Sequence, residues 1–193
     1  MPSNILLAIA LPQENAGNRL SHLGHEIIYT GVGKVNAALR LTEALARRDR
    51  RQLTVINLGS AGSHTLEAGG VVSATRFFER DMDATALGFA LGQTPFEDDI
   101  YLDYGLAIPG LPQATCYTGD SFVTERHPTL PFDIIDMEAY ALAKTCRHLE
   151  TRFVALKFIT DGADGKAAHD WTEAVELAAE RLALALEQTV SHL

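Results

Sequence analysis

Leu53-Thr54-Val55-Ile56-Asn57-Leu58 runs without a break into Gly59-Ser60-Ala61-Gly62. The first six residues are mostly apolar, with β-branched Thr54, Val55 and Ile56 at their centre, the pattern of a strand covered on both sides. The four small residues after them read as a turn-prone loop at the carboxyl end of that strand. Working outward, the same grammar recurs. Ile5 to Ala10 is apolar throughout and stops at Pro12, and His25 to Thr30 reads as a short strand closed by Gly31-Val32-Gly33. From Val35 to Arg48, apolar residues at Val35, Ala38, Leu41 and Leu45 keep a helical period, and the arginines that follow suit a helix C-terminus. Val71 to Ala74 is a strand, and the polar stretch from Arg80 to Asp99 reads as a long surface loop or lid. Thr115 to Val123 reads as strand then turn. Ile134-Ile135-Asp136-Met137 leads into a helix from Glu138 to about His148, and Phe153 to Ile159 ends at Thr160-Asp161-Gly162 before a helix from about Trp171 to Val190. Strands alternate with helices, which predicts an α/β class with a central, mostly parallel sheet.

Composition narrows the function. A chain of 193 residues matches one domain spanning 1–193. Sixteen Lys and Arg against 25 Asp and Glu give a net charge of −9. A nucleic-acid backbone or an anionic membrane surface would meet net repulsion, so neither is an expected partner. Cys116 and Cys146 are too few and too isolated for a disulfide framework or a Cys-rich metal site, which fits a reducing cytoplasm. No stretch reaches the ~18 apolar residues of a membrane span.

Glu14, Ser60, Glu138 and Asp161 all fall near strand ends. In a parallel sheet those ends share one rim, where carboxylates distant in sequence can converge on a ligand. Glu138 and Asp161 read equally well as acidic caps or dipole partners of the helices they precede. Gly31-Val32-Gly33-Lys34-Val35-Asn36 lacks the third glycine of a dinucleotide fingerprint. The seven histidines are scattered without ligand spacing, so neither a metal nor a redox cofactor is expected. Ser60 lies in Gly59-Ser60-Ala61-Gly62, one residue short of the nucleophile elbow of serine hydrolases.

Six segments, in order, resemble the nucleoside phosphorylase and nucleosidase superfamily, and most closely the 5'-methylthioadenosine/S-adenosylhomocysteine nucleosidases. They are Gly31 to Ala38, Asn57 to Gly62, Asp83 to Gly88, Thr118 to Phe122, Asp136 to Ala139, and Thr160 to Asp164. The resemblance implies a three-layer, single-domain fold with a mixed sheet. It implies Glu14 as the carboxylate that activates the attacking water, and Asp161 as the acid that serves the purine at N7. Met137 and Glu138 correspond to the ribose-binding pair, Phe122 to the aromatic that stacks on adenine, and the Val123 backbone to the reader of its edge. Ser60 joins the substrate-binding set. Trp171 is placed over the 5'-alkylthio group, and Leu87 corresponds to a residue that homodimers of this family lend to the neighbouring subunit.

The resemblance is not complete. Lys157 stands where the nucleosidases commonly have arginine, Asp136 replaces a glutamate on the ribose side, and Pro12-Gln13-Glu14 replaces a run of glutamates. The chain is compressed between Asn15 and Tyr29 and between Asp99 and Cys116. The phosphorylases carry a phosphate-binding arginine just before the glycine-serine segment, where this chain has Ile56, Asn57 and Leu58. Phosphate needs such a cation and water does not, so hydrolysis is favoured, with Arg19 the residue that could still contact phosphate. The expected activity is release of adenine from a 5'-modified purine nucleoside by water attack at C1'. The alternatives are a phosphorylase, a futalosine-type hydrolase, or a nucleoside-binding module without turnover.

Overall fold

The computed structural model describes residues 4–123, 132–161 and 167–193, with side chains apart from those at 161 and 167–173. In chain order the elements are β1 (Ile5–Ile9), β2 (Glu26–Tyr29), α1 (Lys34–Ala46), β3 (Thr54–Gly62), β4 (Val71–Glu79), β5 (Tyr101–Asp103), β6 (Gln113–Thr118), β7 (Ile134–Asp136), α2 (Ala139–His148), β8 (Arg152–Asp161) and α3 (Ala167–Val190). The sheet runs β2-β1-β3-β7-β6-β4-β5, with β8 also paired to β3 and β4. β1, β2, β3 and β8 pair in parallel, as do β4, β6 and β7. The two sets join through antiparallel contacts of β4 with β8 and of β3 with β7. Those pairings close a ring of five strands, β3-β8-β4-β6-β7, so this part of the sheet has no free edge.

Helices cover both faces. Ala37, Leu41 and Leu45 of α1 pack with Ala139, Leu142 and Cys146 of α2 against one face. Ala178, Leu182, Ala185 and Leu186 of α3 pack against Leu7, Ile9, Val154 and Leu156 on the other. Strands buried on both faces explain the continuous apolar runs read above. The three layers and the mixed α/β sheet are as expected.

Local differences have physical causes. Gly59 to Gly62 is not a loop: β3 continues through it, with Gly59, Ser60 and Ala61 in register with Lys157, Phe158 and Ile159. Small residues serve close approach here, since a Cβ on Gly59 would lie 3.3 Å from Lys157 Nζ and 3.4 Å from Glu14 Oε1. Val71 to Ala74 is only the first part of a strand that reaches Glu79. The compressed stretch between Asp99 and Cys116 holds a short edge strand, β5, antiparallel to β4, where no element was expected. The compressed stretch after β1 forms two 3-10 segments, Pro12–Asn18 and Ser21–Leu23.

Candidate active site

Seven strands, β5 excepted, bring their carboxyl ends or the residues just after them to one cavity of about 250 Å³. Its walls include Leu11, Glu14, Ser60, Arg80, Phe122 and Glu138. The rim expected from the sequence is therefore assembled, and it is mostly buried.

Glu14 arrives on the 3-10 segment after β1. Pro12 starts that segment, and Glu14 N–H donates to the Leu11 carbonyl at 3.1 Å. Asn15 anchors it from below: its Oδ1 accepts from Leu20 N–H at 2.9 Å, and its Nδ2 donates to Ser21 Oγ and Tyr29 Oη. The Glu14 carboxylate is 6% exposed. Its Oε1 accepts from both Ser60 N–H and Ser60 Oγ at 3.1 Å, and Oε2 accepts from Leu11 N–H at 3.0 Å. A carboxylate offers about four acceptor positions, so the three donors orient it and leave one on Oε2.

Glu138 is placed by two elements. It immediately precedes α2, and its Oε1 accepts from Gly33 N–H at 2.8 Å. Gly33 has φ +91, and a Cβ there would sit 3.0 Å from Asp120 Oδ1. Only glycine presents its N–H in that pose without strain. The glycine pair that failed as a dinucleotide fingerprint thus orients a carboxylate. Burial first, and then the neighbouring Asp136 charge, push the Glu138 carboxyl up to about 7.

Asp136 and Lys157 form a buried ion pair at 2.8 Å. Thr118 Oγ1 and Ala139 N–H also donate to Asp136, at 2.6 and 2.9 Å. Burial alone would raise the Asp136 carboxyl; the Lys157 ammonium and these donors outweigh it and hold it below its ordinary range. Asp136 reaches the cavity, whereas Lys157, 1% exposed, stands behind it and does not line the wall. The direct substrate contact expected of Lys157 does not fit this position, since it adjoins the cavity only through its ion pair with Asp136. The reason is depth: the β8 register places Lys157 opposite Gly59, inside the ring of strands.

Ser60, Phe122, Val123, Asp136, Met137, Glu14 and Glu138 are brought together at the cavity. Leu87 is not: it lies on the 3-10 turn Thr85–Leu87, 76% exposed and away from the wall. Arg19 also faces elsewhere, 4.0 Å from Glu180 with both side chains about half exposed, so it is not poised for phosphate. Ile56, Asn57 and Leu58 are buried in β3. Asp161 ends β8 with its backbone paired to Gly62; its side chain and that of Trp171 lie outside the described residues.

Sequence reasoning missed Arg80 and Thr160, both on the wall. Arg80 follows β4 directly, and its guanidinium donates to Ser121 Oγ at 3.0 Å, to the Gly119 carbonyl at 3.1 Å and to the Ser121 carbonyl. A lone arginine after a strand carries no periodic or motif signal.

The profile of the phosphorylase superfamily matches residues 24–192. The 5'-methylthioadenosine/S-adenosylhomocysteine nucleosidase of Hydrogenovibrio crunogenus is 32% identical over 188 residues, covering 86% of this chain and 80% of that protein. The chain belongs to the phosphorylase superfamily, on its nucleosidase branch. The Bacillus subtilis nucleosidase of the same name is 36% identical over 169 residues, covering 76% of this chain and 72% of its own length. The Neisseria meningitidis nucleosidase, solved in complex with methylthio-immucillin-A, superposes with a TM-score of 0.82 at 27% identity, covering 98% of this chain and 99% of that one. The cavity gathers buried carboxylates from the ends of β1 and β7 together with the half-exposed Phe122.

Proposed function

We propose that this nucleosidase hydrolyses the N-glycosidic bond of a 5'-alkylthio adenine nucleoside, with Glu14 activating the water that attacks C1'. The observation that carries the reading is the Glu14 carboxylate on the cavity wall, buried, held by three donors and left with one acceptor position on Oε2. A water bound there can lose its proton as it attacks. The sugar then develops oxocarbenium character, and the negative charges of Glu14, Asp136 and Glu138 stabilise it more than they stabilise the neutral ground state. Glu138 is the acceptor for the ribose hydroxyls, with Met137 against the sugar. Phe122 stacks on the base and the Val123 backbone reads its edge. Asp161, at the end of β8, protonates N7 so that the base leaves neutral. Trp171 closes over the alkylthio group, and Leu87 reaches the cavity of a second copy in a homodimer. Two buried free cysteines suit a reducing cytoplasm.

Water rather than phosphate is favoured as the nucleophile because, among the described residues, the only cation on the wall is Arg80. The β3 segment that would carry an arginine is Ile56-Asn57-Leu58, and the two terminal nitrogens of Arg80 donate to Gly119 and Ser121. The test is adenine release from 5'-methylthioadenosine by the purified protein, with and without phosphate. Equal rates in both support the reading; release only with phosphate refutes it. Asp161→Asn should cut kcat by about 10²-fold or more while KM stays within a few-fold, the scale of a lost general acid. Unchanged turnover would remove Asp161 from the mechanism.

Glu138 also predicts the pH profile. Its ionised form accepts both ribose hydroxyls, and the carboxyl titrates at about 7. Activity should therefore fall as pH drops below about 7, with one-proton slope in kcat/KM. Stability moves oppositely. A carboxyl whose folded-state value is raised stabilises the fold at low pH and loses that contribution as pH rises through about 7. Glu138→Gln should accordingly raise the melting temperature at pH 8 while lowering activity, and a lower melting temperature would contradict the assignment.

A further inference from the structure

We propose that Arg80 is a positioning residue whose guanidinium grips the turn of residues 119–121 and so sets where Phe122 and Val123 stand over the cavity. The proposal rests on the reading of Phe122 and Val123 as the base-contacting pair. Three observations support the grip. The guanidinium reaches one turn at three acceptors: Ser121 Oγ, the Ser121 carbonyl and the Gly119 carbonyl. The planar fork matches such a set in a way that the point charge of lysine cannot. Gly119 is shaped for it: a Cβ there would meet Arg80 Cζ at 2.8 Å and Nε at 2.9 Å, so the guanidinium lies against bare backbone. Its Nε is buried and has no acceptor among the described residues, a donor given up to this flat contact.

The neighbouring backbone strengthens the geometry. Arg80 N–H donates to the Thr118 carbonyl at 2.9 Å, and Asp81 Oδ2 accepts from Asp120 N–H at 2.8 Å, so the end of β4 and the turn move as one unit. Phe122 needs that support. It is 52% exposed and belongs to none of the buried clusters, whereas Val123 packs beside Phe78, Tyr117, Phe132 and Ile135. A half-exposed ring takes much of its position from its backbone, and Arg80 holds the backbone just before it.

The experiment compares the wild-type chain with Arg80→Met, Arg80→Lys and Gly119→Ala, using steady-state hydrolysis of 5'-methylthioadenosine, calorimetric binding of adenine and thermal melts. Stacking on a positioned aromatic contributes to base affinity, so its partial loss should raise KM and the adenine Kd about tenfold. kcat should stay within about threefold, because the carboxylates of the reacting centre are not moved. Arg80→Lys should not restore binding. Gly119→Ala should reproduce the defect by displacing the guanidinium, and the double variant should be no worse than either single one. Wild-type adenine affinity in Arg80→Met would overturn the proposal, as would full rescue by lysine or a fall in kcat with KM unchanged. A wild-type protein that neither binds adenine nor hydrolyses the nucleoside would instead overturn the base-site reading, and this inference with it.

Discussion

Glu14→Gln should abolish most hydrolysis while leaving nucleoside affinity within a few-fold. The carboxylate contacts water and not the leaving base, so its loss removes transition-state stabilisation rather than uniform binding. A positioned general base contributes about 10²–10⁴-fold, and kcat should fall on that scale. The geometry adds to the effect. All three groups around the carboxylate donate: Ser60 N–H, Ser60 Oγ–H and Leu11 N–H. The amide of glutamine must turn its own NH2 toward one of these donors or toward the attacking water, so the site loses both basicity and orientation. Single-turnover kinetics with a parallel binding isotherm check this. Full turnover by Glu14→Gln would show that another group activates the water.

Lys157→Met should be the most destabilising of the single substitutions considered. The ammonium is 1% exposed and 2.8 Å from Asp136, which is itself buried. Removing one partner of a buried pair leaves an uncompensated charge, a loss of about 3–5 kcal/mol. For a chain of this length that corresponds to a melting temperature roughly 10 °C lower, or more. Methionine is similar in length and apolar, so lost packing is a minor part of the effect. Asp136 should respond as well: without Lys157, burial and the nearby Glu138 push its proton affinity up. The destabilisation should therefore shrink as pH falls and Asp136 protonates. A melting temperature within a degree or two of wild type at pH 8 would contradict the role assigned to this pair.

How far the sequence led is seen at particular residues. β1, β3 and β8 were legible because strands buried on both faces are apolar throughout, and α1 because its core positions keep a helical period. Glu14, Ser60 and Glu138 could be placed at one rim because strand ends in an open sheet converge. Gly59 to Gly62 read as a loop since small residues look alike in a turn and in a strand approached closely by Lys157 and Glu14. β5 was hidden because three residues with an exposed, buried, exposed pattern fall below any periodic signal. The Asp136 to Lys157 pair and the Arg80 grip were beyond reach, being contacts between residues 21 and about 40 positions apart in sequence that only the closed ring of strands brings together. Arg19 was the obvious candidate for a phosphate contact by its place after the first strand, yet the turn of the 3-10 segment points it toward α3.

Water, activated by Glu14, is the proposed nucleophile. The most direct measurement is hydrolysis of 5'-methylthioadenosine in water labelled with heavy oxygen and containing phosphate, with the sugar product read by mass spectrometry. One labelled oxygen is expected in the anomeric hydroxyl of free methylthioribose, formed at a rate that phosphate does not change. A sugar 1-phosphate carrying no label would contradict it.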